Sequence, residues 1–179
     1  NEIRQNTLET YKLHTGRTFV LALSSPTKVN DIKLVKLFVK AKKIFGEPSD
    51  NFLVKIHPAR NISDYSWIED HYNLHVLPQK IPHQDFLNIV DVLLAHTSGI
   101  ATEALYHGKK VGILDVLDTS PGNGLELNKY FNIPLLKSVT ELINFLEIEQ
   151  CALINDLAYY KTGEAAKVEI TKNIQNLID

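Results

Sequence analysis

The stretch His96-Thr97-Ser98-Gly99-Ile100-Ala101-Thr102-Glu103 combines residue types that can hold a phosphate, and it directly follows the apolar run Val90–Ala95. A helix starting near Ser98 offers unpaired backbone N–H groups and the positive end of its dipole. Thr97 and Ser98 add hydroxyl donors, and Gly99 lets an anion approach the backbone. Together these suit a phosphate or diphosphate. Glu103 falls one turn into the helix, where its carboxylate can accept bonds from ribose hydroxyls. A second reading stays open on local sequence: Thr97 or Ser98 is a plain N-cap and Glu103 an ordinary helix carboxylate. His96 stands at the strand end and is expected to line the same site.

His57 is the second candidate. It follows the apolar run Phe52–Ile56, and Pro58 restricts it to an extended conformation. A histidine there can donate a hydrogen bond to a departing phosphate, although a structural histidine bonded to a nearby carbonyl fits the position too. Ser24 and Ser25 follow the run Thr18–Leu23 and are the third candidates. Asp115 ends another run, where a turn-forming role competes with ligand contact. Pro121-Gly122-Asn123-Gly124 reads as a turn cluster, either a lid or a plain loop. His14, His83 and His107 read as surface or capping residues, and His71 and His75 as lying at the opposite edge. No histidine pair has the spacing and acidic partner of a zinc site, so no metal is expected.

Composition narrows the function classes. The chain has 179 residues, 44% apolar and 22% charged, with a formal net charge of −2. That is enough for one domain with a sizeable core. The near-neutral charge argues against nucleic acid as a partner. The lysines between Lys33 and Lys43 alternate with apolar residues, as on the wet face of an amphipathic helix. Cys151 is the only cysteine, which excludes an internal disulfide and fits a reducing, cytoplasmic setting with Cys151 as a small core filler. The sequence shows no apolar run long enough for a membrane span and no signal peptide. It begins at Asn1 and contains no methionine, so it reads as a piece of something longer. P-loop, GxGxxG and Gly-x-Ser-x-Gly patterns are all missing.

The elements that must position these residues alternate regularly. Apolar runs at Thr18–Leu23, Phe52–Ile56, Leu74–Leu77, Val90–Ala95, Lys110–Leu114 and Ile133–Leu136 predict strands. Helical spacing predicts helices over Asn30–Phe45, Ser63–Tyr72, Pro82–Asn88, Ser98–His107, Leu125–Tyr130, Ser138–Leu146 and about Gly163–Ile178. In Asn30–Phe45 the apolar set, Ile44 included, is expected largely on one side. Alternating strands and helices predict an α/β fold: a doubly wound, Rossmann-like parallel sheet of about six strands with helices on both faces. Ligands bind such sheets beyond the carboxyl ends of the strands, where all three candidates fall.

The pattern Val54-Lys55-Ile56-His57-Pro58, then Thr97-Ser98-Gly99-Ile100-Ala101-Thr102-Glu103-Ala104-Leu105 and Gly108-Lys109-Lys110-Val111, resembles the C-terminal, donor-binding half of GT-B glycosyltransferases. The similarity is greatest to the capsule and teichoic-acid group, with its Kdo-, sialyl- and glycerophosphotransferases. Lys161-Thr162-Gly163-Glu164-Ala165-Ala166 and the helix after it are similar to the C-termini of that group. The same turn resembles the Ser-Gly-Gly diphosphate turn of UDP-N-acetylglucosamine 2-epimerases, with Glu103 at the position of their ribose-binding glutamate. The sequence departs from the epimerases after Val111, where Gly112-Ile113-Leu114-Asp115 enters a different loop.

The resemblance implies a CMP-, CDP- or UDP-activated donor, held without a metal by His57, His96, Thr97, Ser98, Gly99, Glu103, Ser24 and Ser25. It gives His57 a catalytic role. It divides the chain into an N-terminal extension or linker over 1–17, a nucleotide-sugar-binding domain over 18–162 and a C-terminal helix over 163–179. The glycan or polyol-phosphate acceptor would be held by a missing N-terminal domain, and the full-length protein would associate peripherally with the inner face of the cytoplasmic membrane. An epimerase-like enzyme and a non-catalytic assembly domain of the same fold are the alternatives.

Overall fold

The computed structural model describes residues 2–24 and 27–148. The expected helix over 163–178, Ser25 and Cys151 lie outside the described residues. Six parallel strands form one sheet: β1 (Thr18–Leu23), β2 (Asn51–Ile56), β3 (His75–Val76), β4 (Val92–Ala95), β5 (Lys110–Leu114) and β6 (Leu135–Leu136), in the order β3-β2-β1-β4-β5-β6. Each lies within or almost within an expected apolar run. β1 is buried at all six positions, as a central strand covered on both faces must be. It pairs with β2 from Thr18↔Asn51 to Leu23↔Ile56, and with β4 from Phe19↔Val92 to Ala22↔Ala95.

Strand alternation sends side chains into two cores. Val20, Ala22, Leu53, Leu93, Ala95 and Val111 face α4 (His83–Ile89), α5 (Gly99–Tyr106) and α6 (Asn123–Phe131). Phe19, Leu21, Phe52, Val54 and Leu94 face α2 (Lys28–Phe45), α3 (Trp67–Tyr72) and α7 (Val139–Glu147). In α2, Leu34, Val35, Phe38 and Ala41 share the buried face, and Lys33, Lys36, Lys40 and Lys43 are exposed. Ile44 departs from expectation. It is 66% exposed, because its angular position falls outside the stripe of Leu34, Phe38, Ala41 and the core-packed Phe45.

Two further segments differ from expectation. The stretch 1–17 contains a helix, α1 (Glu2–Thr10), that packs on the core through Leu8. Arg4 pairs with Asp91 at 2.7 Å and also donates to the Gly16 carbonyl. Only Thr7 and Leu8 are buried in α1, so no apolar period marks it in the sequence. The expected helix Ser63–Tyr72 is broken into a 3₁₀ turn (Ile62–Tyr65) and α3. The break lets buried Tyr65 donate a 2.9 Å hydrogen bond to the Asp31 carboxylate in α2.

Burial, and then the bond to Asp31, push the Tyr65 phenol from 10.0 up to about 12. A raised phenol pKa stabilises the fold below pH 10 and loses that contribution as pH rises toward 12. Tyr65→Phe is expected to lower stability by about 1–3 kcal/mol at neutral pH, since a buried carboxylate loses a donor. Urea unfolding at several pH values should show the gap between the two proteins closing above pH 10.

The chain runs outward from β1 through β2 to β3, then returns to β4 on the other side of β1. The loops beyond β1 and β4 therefore part in opposite directions and open a crevice at the carboxyl edge.

Candidate functional site

The crevice is a cleft of about 940 Å³. Its floor is Ala22 at the end of β1, and its walls come from the ends of β2 and β4 and the first turns of α4 and α5. The volume lies at the upper end of the range for small-molecule sites.

Thr97, Ser98 and Gly99 line one wall. Ser98 is the N-cap of α5 by backbone conformation (φ −160°, ψ 129°), yet its hydroxyl caps no helix N–H. The first bond at this end runs from the Ala101 N–H to the Ser98 carbonyl, so the N–H groups of Gly99 and Ile100 precede it. The plain capping reading of Ser98 is thus not what the geometry shows. A Cβ built on Gly99 would meet nothing within 4 Å, so the backbone there is open to a ligand. Glu103 lines the cleft one turn further on, and its Oε2 lies 2.6 Å from His83 Nε2 at the start of α4.

His57 occupies the opposite wall. Its N–H extends the β1–β2 ladder to the Leu23 carbonyl at 3.0 Å. Its Nδ1 accepts from the Ala59 N–H at 3.2 Å, so the neutral ring carries its proton on Nε2 as a donor. Gln79 Nε2 staples the turn by donating to the carbonyls of Pro58 (2.8 Å) and Arg60.

Ser24 also lines the cleft. Its Oγ is buried and has no hydrogen-bond partner among the described residues. Ser25 lies outside the described residues.

His96 is not brought into the cleft. It is 1% exposed, with Nδ1 donating to the Leu114 carbonyl at 2.8 Å and Nε2 3.2 Å from Thr119 Oγ1. It ties β4 to the loop after β5, behind the turn that it was expected to line. Asp115 does not line the cleft either. Its N–H donates to the Leu136 carbonyl, and Lys137 lies 3.9 Å from its carboxylate. The Pro121–Gly124 turn is the start of α6 rather than a lid. Gly122 has φ +54°, and a Cβ on it would come within 3.2 Å of Thr97 Oγ1. A Cβ on Gly124 would lie 2.6 Å from Ile113. Both glycines let α6 close on the back of the Thr97-Ser98-Gly99 turn.

Four polar lining residues escaped the sequence reading of the site: Lys55, Arg60, Gln79 and His83. His83 could have been found, because a helix after a parallel strand begins at the carboxyl edge. Lys55 could have been found as the one charged residue inside an otherwise apolar strand. It is half-buried, with its Nζ 5.5 Å from the Phe86 ring centre, and burial holds its ammonium pKa below the usual value. Gln79 and Arg60 carry no sequence signal of their own. Among the described residues no three of His, Cys, Asp and Glu converge as a metal-binding set. None of the described helices is long and apolar enough to cross a membrane.

No protein-family model and no curated protein sequence matches the chain. Solved structures do match its fold. A UDP-GlcNAc 2-epimerase from Neisseria meningitidis, bound to UDP-GlcNAc, superposes with a TM-score of 0.62 at 16% identity, over 98% of this chain and 50% of that one. The Methanocaldococcus jannaschii UDP-GlcNAc 2-epimerase, in complex with UDP-GlcNAc and UDP, gives 0.62 at 12% identity, over 98% and 49%. The wall teichoic acid polymerase TagF, with CDPG, gives 0.58 at 14% identity, over 100% and 47%. The chain thus spans about half the length of each. In fold, it is one Rossmann-like half of the two-domain GT-B architecture.

Proposed function

We propose that this chain is the donor-nucleotide-binding half of a glycosyl- or polyol-phosphate transferase of bacterial surface polysaccharide synthesis. The donor is CMP-, CDP- or UDP-activated. One observation carries the reading: the Thr97-Ser98-Gly99 turn, His57 and Glu103 line one cleft at the switch point of the sheet. In this reading the start of α5 holds the nucleotide phosphate, and Glu103 accepts from the ribose hydroxyls. His57 donates to the phosphate oxygens as negative charge grows on the leaving group. Stabilising that charge with preorganised donors needs no metal. An acceptor hydroxyl needs a general base, which a second domain outside this sequence supplies together with the acceptor site. The same reading puts the full protein in the cytoplasm, against the inner face of the membrane.

A second reading, an epimerase-like enzyme that turns over a UDP-sugar without any acceptor, is supported by the epimerases among the fold neighbours. Calorimetric titration of this chain with CMP, CDP, UDP and UDP-GlcNAc tests both. The transferase reading expects at least one nucleotide to bind and its donor to survive prolonged incubation. Acceptor-free conversion of UDP-GlcNAc would favour the epimerase. If no nucleotide binds at millimolar concentration, both fail and a non-catalytic assembly domain is left.

A further inference from the structure

We propose that Gln79 is a positioning residue for His57, fixing its ring as an Nε2–H donor through a single peptide group of the turn after β2. The inference rests on the nucleotide-donor reading of the cleft, in which His57 donates to the phosphate.

The His57 imidazole is exposed, so packing does not hold it. The ring is held by the Ala59 N–H, which donates to Nδ1 at 3.2 Å. That N–H belongs to the peptide joining Pro58 to Ala59. The carbonyl of the same peptide is that of Pro58, and Gln79 Nε2 donates to it at 2.8 Å. Among the described residues no peptide bond is cis, and in a trans peptide the C=O and N–H point in opposite directions from one plane. Gln79 therefore grips one side of the plane and His57 the other. A rotation of that plane breaks both bonds at once. Each bond also polarises the peptide in the sense that strengthens the other.

The turn has one described backbone tie of its own, from the Arg60 N–H to the His57 carbonyl at 2.9 Å. A single bond at the surface competes with water and holds weakly. Gln79 reinforces it, because its Nε2 also donates to the Arg60 carbonyl. Both partners are carbonyl oxygens, which only accept, so the amide nitrogen must be the atom that meets them. A primary amide carries two N–H groups on one neutral atom. Serine or threonine would supply one donor, and lysine would bring a charge.

Gln79 itself stands on a fixed base. It lies between β3 and α4, in a turn that the Ile81 N–H closes on the Pro78 carbonyl at 3.1 Å. Leu77 and Ile81, on either side of it, are buried in the core. The Leu77 N–H extends the β2–β3 ladder to the Val54 carbonyl at 2.9 Å. With the clamp in place, Nδ1 is occupied as an acceptor and the neutral ring keeps its proton on Nε2. Without it, the Pro58–Ala59 peptide is free to turn, and the ring can rotate and take the other tautomer. Gln79 acts on the phosphate through His57 and needs no contact with it.

A double-mutant cycle, read by calorimetry on this chain with CMP, CDP and UDP, tests the proposal. Gln79→Met keeps the side-chain length and removes the amide. It is expected to weaken diphosphate binding by about five- to tenfold, a large part of the loss expected for His57→Ala. In the His57→Ala background the same substitution should change affinity by less than about twofold, since residues acting as one unit do not add. The ¹⁵N shifts of the neutral His57 ring give an independent signature. The wild type should show a protonated Nε2 and an unprotonated Nδ1, and Gln79→Met should move both toward the mixed-tautomer values of a free histidine. Melting curves show whether each variant keeps the fold. Gln79→Asn, with its amide one methylene shorter, serves if the methionine variant is unstable. The proposal is overturned if Gln79→Met leaves diphosphate affinity unchanged, if it weakens binding as much without His57 as with it, or if the ring shifts do not move. In each of these cases the nucleotide reading stands. Failure of every nucleotide to bind the wild type overturns both.

Discussion

Gly99→Val is expected to weaken nucleotide binding by more than about 100-fold, because two or more charge-assisted hydrogen bonds of about 1.5–3 kcal/mol each are lost together. The substitution puts a branched side chain where the phosphate approaches the first turn of α5. The native position is open: a Cβ there meets nothing within 4 Å. Gly99 is the first residue of α5 and does not need a positive φ, so the helix accepts valine. The effect therefore falls on the ligand and leaves the fold alone. Titration with UDP, CDP and CMP reads the affinity, and a melting curve reads the stability. An unchanged affinity would remove the phosphate from this turn. A melting temperature lowered by several degrees would show that Gly99 serves packing instead.

His57→Ala is expected to lower diphosphate affinity by about 10- to 100-fold, the range for one hydrogen bond to a charged group. The imidazole is exposed, and its one described side-chain bond is the local one from the Ala59 N–H. Its removal should leave the melting temperature almost unchanged. The loss should be smaller for CMP than for CDP if His57 reaches the phosphate further from the nucleoside. In the complete transferase the substitution should lower kcat more than it raises KM, since negative charge on the leaving oxygen grows in the transition state. Equal affinities in wild type and variant would return His57 to a turn-forming role.

Much of the fold was legible because local patterns and global architecture agree here. The run Thr18–Leu23 is apolar at nearly every position, and only a strand covered on both faces asks for that. The boundaries of β1 and β5 coincide with their runs, and α2 shows its lysines on the outside as its spacing predicts. α1 was not legible, since a polar helix held by Leu8 and the Arg4–Asp91 pair has no periodic signature. The break at Ser66 was also hidden. A phenol seeking a carboxylate 34 residues away stops the helix there, and no local rule registers that.

The site divides along the same line. By itself the sequence determined the sheet edge, the Thr97-Ser98-Gly99 turn with Glu103 on its helix, and His57 after β2. Those features depend on strand ends and helix starts, which short-range patterning specifies. Only the tertiary structure decided what each side chain is for. It drew His96 away to Leu114 and Thr119, and it set His83 against Glu103. Among the described residues it also left Lys55 in the cleft wall without an ion-pair partner and the buried Ser24 hydroxyl without a hydrogen-bond partner. Hydrogen-bond partners in a parallel sheet come from strands far apart in the chain. Whether a polar residue is satisfied or left for a ligand is therefore settled only when those strands meet.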